Sequence, residues 1–221
     1  MSNELKKRII TSLVLFVLVV FMYIYTYVLI ISLIITSLIV WIEFFGLISK
    51  IFHKDSLENK IFRFASKSIS LIYLFFLSFL IIFIFLKDND YKFFAIYSFL
   101  IAIASDIGGI AFGKFFKGKK LTKISPKKTI SGSIGAFFFS ILLIFFFNKN
   151  LDNYPLIGVL FFTVAVSFIS QIGDLFISFL KRKAKVKDTS DILPGHGGFL
   201  DRIDGIIFAL PFGIFLSNFL I

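Results

Sequence analysis

Cysteine is absent from all 221 residues, which excludes disulfides, thiolate metal sites and cysteine nucleophiles. Histidine occurs only twice and tryptophan once, so no histidine cluster is available to bind a soft metal. Charged residues make up only 17% of the chain, and no polar stretch is long enough to build a separate soluble domain. No internal repeat is visible, which argues against the inverted-repeat design of many transporters. What remains is apolar: 58% hydrophobic residues, 34 of the 221 residues phenylalanine, and a mean hydropathy of +0.95. Such values lie outside the range of soluble domains and inside that of multi-span membrane proteins. The expected fold is an all-α polytopic bundle in a single membrane domain, residues 1–221.

Seven spans are expected, at 9–26, 28–48, 68–86, 92–113, 130–147, 155–180 and 204–221, most reaching the ~20 residues needed to cross ~30 Å of hydrocarbon. The uncharged run from Ile9 to Ile42 reads as two tightly connected helices and a retained anchor rather than a cleaved signal peptide. Residues 50–67 alternate basic and apolar positions, which suits a helix lying on the membrane surface. Residues 1–67 thus form a helical pair plus an interfacial segment, and 68–221 a catalytic helical core. With the N-terminus in the cytoplasm, 21 of the 24 Lys and Arg fall in inner segments, leaving Lys87, Lys92 and Lys149 outside. The net charge of +11 therefore speaks for topology and anionic lipid, and against nucleic acid as a partner.

Three acids interrupt the apolar spans: Glu43, Asp106 and Asp174. An ionisable group at such depth commonly costs ~3 kcal/mol or more and usually marks function. Each lies seven or eight residues before the basic cytoplasmic end of its span, about 10 Å below the surface. Asp201 and Asp204 open the last span from the same side, so five carboxylates are expected to converge on one cavity open to the cytoplasm. Each acid alone is equally well explained by pairing with a Lys or by capping a broken helix, and Glu43 beside Trp41 reads as a structural or surface-pairing acid. Asp174, Asp201 and Asp204 together would repel one another or take up protons unless a cation is bound. Oxygen-only ligands favour Mg²⁺, with room for a second, monovalent cation.

The glycines after Asp106 (Gly108, Gly109 and Gly113) put small residues on one helix face, which serves close helix packing as well as a site beside the acid. Seven Lys follow in the fifteen residues from Lys114 to Lys128. Lys117, Lys119 and Lys120 read as topology signals. Ser125-Pro126-Lys127-Lys128-Thr129 is more specific, because a turn then sets two Lys and two hydroxyls before a helix start that attracts anions.

The densest chemistry runs from Ser178 to Asp204, SFLKRKAKVKDTSDILPGHGGFLDRID, with Asp188, Asp191, Asp201 and Asp204 among six bases. Pro194-Gly195-His196-Gly197-Gly198 is a loop whose backbone can approach a ligand closely. His196 fits a phosphate donor or a loop hydrogen-bonder better than an acid/base catalyst, since a phosphate nucleophile is already ionised near neutral pH. Arg202 can fork onto a phosphate or pair with its acidic neighbours. So many charges at one membrane boundary point to a charged substrate, a phosphate with a metal ion.

These residues resemble the signature of the phosphatidate cytidylyltransferase, or CDP-diacylglycerol synthase, family. The matching positions are Ser178, Lys181-Arg182, Lys187-Asp188, Leu193-Pro194, His196-Gly197-Gly198 and Asp201-Arg202-Ile203-Asp204. Two further blocks agree: Ser105-Asp106 through Ser125-Pro126-Lys127-Lys128-Thr129, and Gln171-Ile172-Gly173-Asp174. The chain departs at Ser131, where the family has Glu, and at Gly205, where a small hydroxyl residue is usual. The resemblance implies that CTP and phosphatidate give CDP-diacylglycerol and pyrophosphate with Mg²⁺, in a homodimer. It also implies that Asp174 and Asp201 are first metal ligands with Asp204 and Asp106 nearby, and that Lys127, Lys128, Lys181, Arg182 and Arg202 hold phosphates. Lys128 and His196 would join the two aspartates in catalysis, with Ser125, Thr129 and Lys187 on the substrates.

Two other readings fit less well. Asp201-Arg-Ile-Asp204-Gly205 contains the Asp-x-x-Asp-Gly core of CDP-alcohol phosphotransferases, but the Ala-Arg and spaced acids that continue that pattern are replaced by Ile-Ile-Phe-Ala. A transporter of a phosphorylated solute would place acids or broken helices near mid-membrane. The expected location is a bacterial inner membrane, with the active site facing the cytoplasm and membrane lipid as one partner.

Overall fold

A computed structural model describes residues 3–86, 89–122, 124–125, 128–195 and 197–220. Among these described residues there are nine α-helices: α1 (Asn3–Ile24), α2 (Thr26–Ile51), α3 (Leu57–Leu86), α4 (Asn89–Phe116), α5 (Ile130–Phe146), α6 (Asn148–Leu151), α7 (Leu156–Lys183), α8 (Leu200–Ile203) and α9 (Ile206–Ser217). Among the described residues β pairing is limited to two isolated bridges, Lys120 with Thr129 and Leu193 with Gly197. The protein is an all-α polytopic membrane protein. Among the described residues four helices (α2, α3, α4 and α7) are long and apolar enough to cross a membrane, with shorter apolar helices at Ile9–Ile24 and Ile130–Phe146.

Helices occupy all seven expected spans, with two differences. No separate surface helix forms over 50–67: α2 runs to Ile51, and residues 57–67 are the opening turns of α3, continuous with its apolar body. The Ser56 hydroxyl accepts the Asn59 N–H (3.3 Å), a hydroxyl cap that starts α3 ahead of its apolar run. The last span contains a helix of only 12 residues, α9, set off from α8 where Asp204 Oδ1 takes the Gly205 N–H at 2.9 Å.

The chain divides into two compact units, Met1–Leu86 with Leu180–Ile203, and Lys87–Phe179 with Asp204–Ile221. In the first, α1 and α2 are parted by one extended residue, Tyr25 (φ −115°, ψ 111°), the tight connection expected of the unbroken apolar run. Helix α2 is pinned to α3 by Ser37 with Ser78 (2.8 Å) and by the Trp41 indole N–H to the Lys67 carbonyl (3.2 Å). Most of α3 remains outward-facing and apolar, as lipid requires.

In the second unit a buried cluster of Phe94, Tyr97, Ile101, Phe162, Val166 and Ala209 joins α4, α7 and α9. Buried hydroxyls satisfy one another inside it: Ser140 to Ser167 (3.0 Å), Ser167 to Ser105 (3.2 Å) and Tyr97 with Thr163 (3.0 Å). Helices α4 and α5 meet on glycine. A Cβ on Gly108 would lie 2.3 Å from the Gly135 carbonyl oxygen, and one on Gly132 2.7 Å from that of Gly109. Close packing, one of the two roles open to the glycines after Asp106, is thus met at Gly108.

Candidate active site

Helix α7 ends in a Schellman turn. Val186 N–H bonds the Lys181 carbonyl (3.0 Å), Lys185 N–H bonds that of Arg182 (3.1 Å), and Lys185 takes the left-handed conformation (φ 56°). The basic last turn, Lys181-Arg182-Lys183, suits the negative end of the helix dipole. The chain then enters the signature loop, where Gly195 (φ 78°) and Gly197 (φ 81°) adopt the left-handed region that glycine tolerates. Leu193 N–H closes the turn on the Gly197 carbonyl (2.9 Å), and Thr11 on α1 donates to the Pro194 carbonyl (3.2 Å).

Glu43 holds this loop together. Only 3% exposed on α2, its carboxylate accepts four hydrogen bonds: Ser190 Oγ (2.5 Å) and Phe199 N (2.9 Å) on Oε1, Thr189 Oγ1 (2.9 Å) and Leu200 N (2.7 Å) on Oε2. Two of these donors are the backbone N–H groups that open α8, so a buried acid caps that helix while the loop hydroxyls complete its shell. The reading of Glu43 as a structural acid is the one this geometry favours. Thr189 and Ser190 carried no sequence signal of their own. A Cβ on Gly198 would fall 1.8 Å from Thr189 Oγ1 and within 2.9 Å of both Glu43 oxygens, so only glycine fits there.

Asp201 on α8 is tied into the same network. Its Oδ1 takes Lys181 Nζ (2.5 Å), and Oδ2 takes Thr189 N (2.8 Å), Thr189 Oγ1 (3.0 Å) and Gly198 N (3.1 Å). Burial opposes its ionisation, but the Lys181 ammonium and the two N–H donors outweigh burial and hold the carboxyl below its ordinary range. A hydroxyl has one proton, so Thr189 is a single donor shared between Glu43 and Asp201.

The second unit carries its own acid–lysine pair, Lys128 with Asp174, both side chains about one-quarter exposed (26% and 23%). Ser178, one turn along α7, donates to Asp174 Oδ1 at 3.2 Å. Lys128 stands on a turn closed by its own N–H to the Ser125 carbonyl (3.0 Å) and by Leu121 N–H to the Lys128 carbonyl (2.8 Å). Thr129 then caps α5, its Oγ1 accepting the Gly132 N–H at 3.0 Å. Ser131, where the resembled family has an acid, donates to the Lys117 carbonyl (3.0 Å). Asp204 is buried beside α7, where Gly173 leaves room: a Cβ there would meet the Asp204 carbonyl oxygen at 2.7 Å. Gly205 is required for the same reason, since its Cβ would sit 2.5 Å from Ser170 Oγ.

Of the other expected site residues, Asp106, Arg182, Lys187 and Arg202 are exposed, while Lys127 and His196 lie outside the described residues. Among the described residues no three His, Asp or Glu side chains gather as a metal-holding group. A ready-made Mg²⁺ cage is therefore not assembled from them. Mg²⁺ that arrives with substrate phosphates needs only one or two carboxylates. Asp174 fits that need, being partly exposed and, among the described residues, holding Lys128 and Ser178, whereas Asp201 is already bound by four donors.

Fold and charge together define a helical membrane protein that carries two acid–lysine pairs, Lys128 with Asp174 and Lys181 with Asp201, and a basic turn before a capped helix start. The chain belongs to the cytidylyltransferase family, whose model matches residues 2–220. It is 44% identical over 121 residues to a phosphatidate cytidylyltransferase of Staphylococcus aureus, a match covering 52% of this chain and 45% of the relative. It is 38% identical over 146 residues to that of Rickettsia felis (62% and 64% covered) and 41% over 128 residues to that of Staphylococcus haemolyticus (56% and 48%). The chain thus spans about half the length of the staphylococcal relatives it matches.

Proposed function

We propose that the protein transfers CMP from CTP to phosphatidate, giving CDP-diacylglycerol and pyrophosphate. The observation that carries this reading is the Lys128–Asp174 pair, set where a capped helix start and a basic turn attract phosphate, in a chain of the cytidylyltransferase family. An oxygen of the lipid phosphate attacks the α-phosphorus of CTP and forms the new P–O bond. The bond from that phosphorus to the bridging oxygen breaks, and pyrophosphate leaves with the electron pair. The attacking phosphate is ionised already, so positioning and neutralisation of charge do the catalytic work.

In this reading Lys128 and Lys181 turn from their aspartates to the phosphates, with Arg182, Arg202, Lys187 and Lys127 as further cations. Ser125 and Thr129 shape the phosphate turn, and His196 donates a hydrogen bond. Asp174, relieved of Lys128, is the carboxylate for Mg²⁺, with Asp201, Asp204 and Asp106 in supporting roles. When bound, the ion neutralises charge on the nucleotide phosphates. A second, monovalent cation, a homodimeric state and a bacterial inner membrane with the basic loops in the cytoplasm belong to the same proposal. The 21 inner bases of 24 support that orientation.

The test is purified protein with labelled CTP and phosphatidate, with and without Mg²⁺, scored for a CDP-lipid. Mg²⁺-dependent product that disappears in Asp174→Asn supports the reading. A folded protein that makes no CDP-lipid with either nucleotide form, CTP or dCTP, overturns it.

A further inference from the structure

At the basic end of α3, three cations share one helix face with an aromatic ring: Lys60, Arg63, Phe64 and Lys67, spaced as i, i+3, i+4 and i+7. With Phe45 and Ser49 of α2 they line a recess of about 240 Å³. Lys67 Nζ stands 3.4 Å from the centroid of the Phe45 ring, a cation–π contact between two residues that line the recess. Lys60 reaches Asp55 at 3.0 Å, but both side chains are more than half exposed (54% and 80%), so this pair is weak and easily exchanged.

Arg63 and Lys67 differ from surface bases. Both are half-buried, and neither forms an ion pair among the described residues. A half-buried cation without a counter-ion is costly, and the Phe45 ring offsets that cost only in part and only for Lys67. The surroundings say which anion is wanted. Phe64 of the recess (73% exposed), with Ile61 (64%) and Phe75 (75%) on the same helix, presents apolar surface along a helix long and apolar enough to cross a membrane. A free phosphate would use the cations and leave this apolar strip idle. An anionic phospholipid uses both, its headgroup in the recess and its acyl chains along α3. Basic pockets between membrane helices bind lipid headgroups on this principle.

We propose that Ser49, Lys60, Arg63 and Lys67 form a binding site for the phosphate headgroup of an anionic phospholipid, held at the α2–α3 recess. The site is independent of the reaction proposed above and stands or falls on lipid binding alone.

The experiment uses the full chain in neutral detergent, with phosphatidylglycerol as the probe lipid, phosphatidylcholine as its neutral counterpart, and native mass spectrometry to count retained lipid. The wild type is expected to retain phosphatidylglycerol in preference to phosphatidylcholine. Arg63→Gln and Lys67→Gln should each weaken retention about fivefold, while the Lys50→Gln/Lys54→Gln pair, on the same segment but off the recess, should leave it unchanged. Arg63→Lys, which keeps charge without the planar fork, should weaken it by a smaller factor and covers the case in which a Gln variant does not fold. Unchanged retention in the Arg63 and Lys67 variants overturns the site, as does equal loss in the Lys50/Lys54 variant. Displacement of the lipid by millimolar inorganic phosphate would also overturn it, by making the recess a solution-anion site.

Discussion

The Leu200 N–H donates to Glu43 Oε2 at 2.7 Å, across 157 residues of sequence. With the Phe199 N–H and two hydroxyls on the same carboxylate, this bond makes a single acid of α2 the anchor for the whole signature loop. Because Thr189 also reaches Asp201, the position of Asp201 depends on a residue far outside the signature.

Replacing Glu43 by Gln keeps the volume but puts an amide NH₂ against donors, so part of the shell is lost and donors are left buried without acceptors. The expected cost is about 2–3 kcal/mol, or a fall in Tm of about 5–10 °C for a chain of this size. Thr189→Val, which removes the shared hydroxyl, should also destabilise, while Thr189→Ser should restore most of the loss. Thermal unfolding in detergent measures all three, and a Glu43→Gln protein as stable as wild type would rule out the anchoring role.

Much of this arrangement was legible in the sequence. The apolar runs located the helices, because a backbone in lipid must satisfy its own hydrogen bonds within each segment. Asp174 and Lys128 stood out as an acid and a base at chemically unusual places, and the fold pairs them. Thr189 and Ser190 did not stand out, because a hydroxyl in a polar loop is ordinary until a buried acid from another helix is known to face it. The continuity of α3 through residues 57–67 was hidden for a different reason. Basic and apolar residues in alternation describe a helix face equally well whether it lies on a surface or begins a span.

Among the described residues, Lys128→Ala leaves Asp174 with only the Ser178 hydroxyl. If the proposed reaction holds, removing the phosphate-seeking cation should lower kcat/KM for CTP by about 10²-fold or more, and Asp174→Asn should abolish turnover. Lys117→Ala is the control, since the bond Lys117 makes to Ser131 uses its backbone carbonyl and survives the substitution. Steady-state kinetics on the three proteins decide whether Lys128 acts in the reaction or only in topology.

Asp201 makes stability depend on pH. Its carboxyl titrates below the ordinary 3.8 in the folded protein, so the folded state favours the ionised form. The resulting stabilisation is fully present above that ordinary value and is lost as pH falls through it toward the lower folded value. Asp201→Asn should therefore be less stable than wild type near neutral pH, where Lys181 loses its partner. The gap between the two should narrow as the pH is lowered from about 6 to about 3. Unfolding midpoints across that window test the sign, and a gap that widens in acid would contradict the assignment.

The glycine seam between α4 and α5 offers a sharp contrast between neighbours. A Cβ on Gly108 would meet the Gly135 carbonyl oxygen at 2.3 Å and Phe139 Cβ at 2.8 Å, whereas on Gly109 its nearest neighbours are at 3.8 and 4.0 Å. Backbone cannot move aside as a long side chain can, so Gly108→Ala must push the helices apart and lose the contacts along the seam. Overpacking of this kind typically costs about 1–3 kcal/mol. Gly109→Ala meets only ordinary van der Waals distances and should be neutral. Unfolding midpoints of the two single variants, measured side by side in detergent, should separate by several degrees with Gly108→Ala the lower. Equal midpoints would mean that the helices do not meet on Gly108.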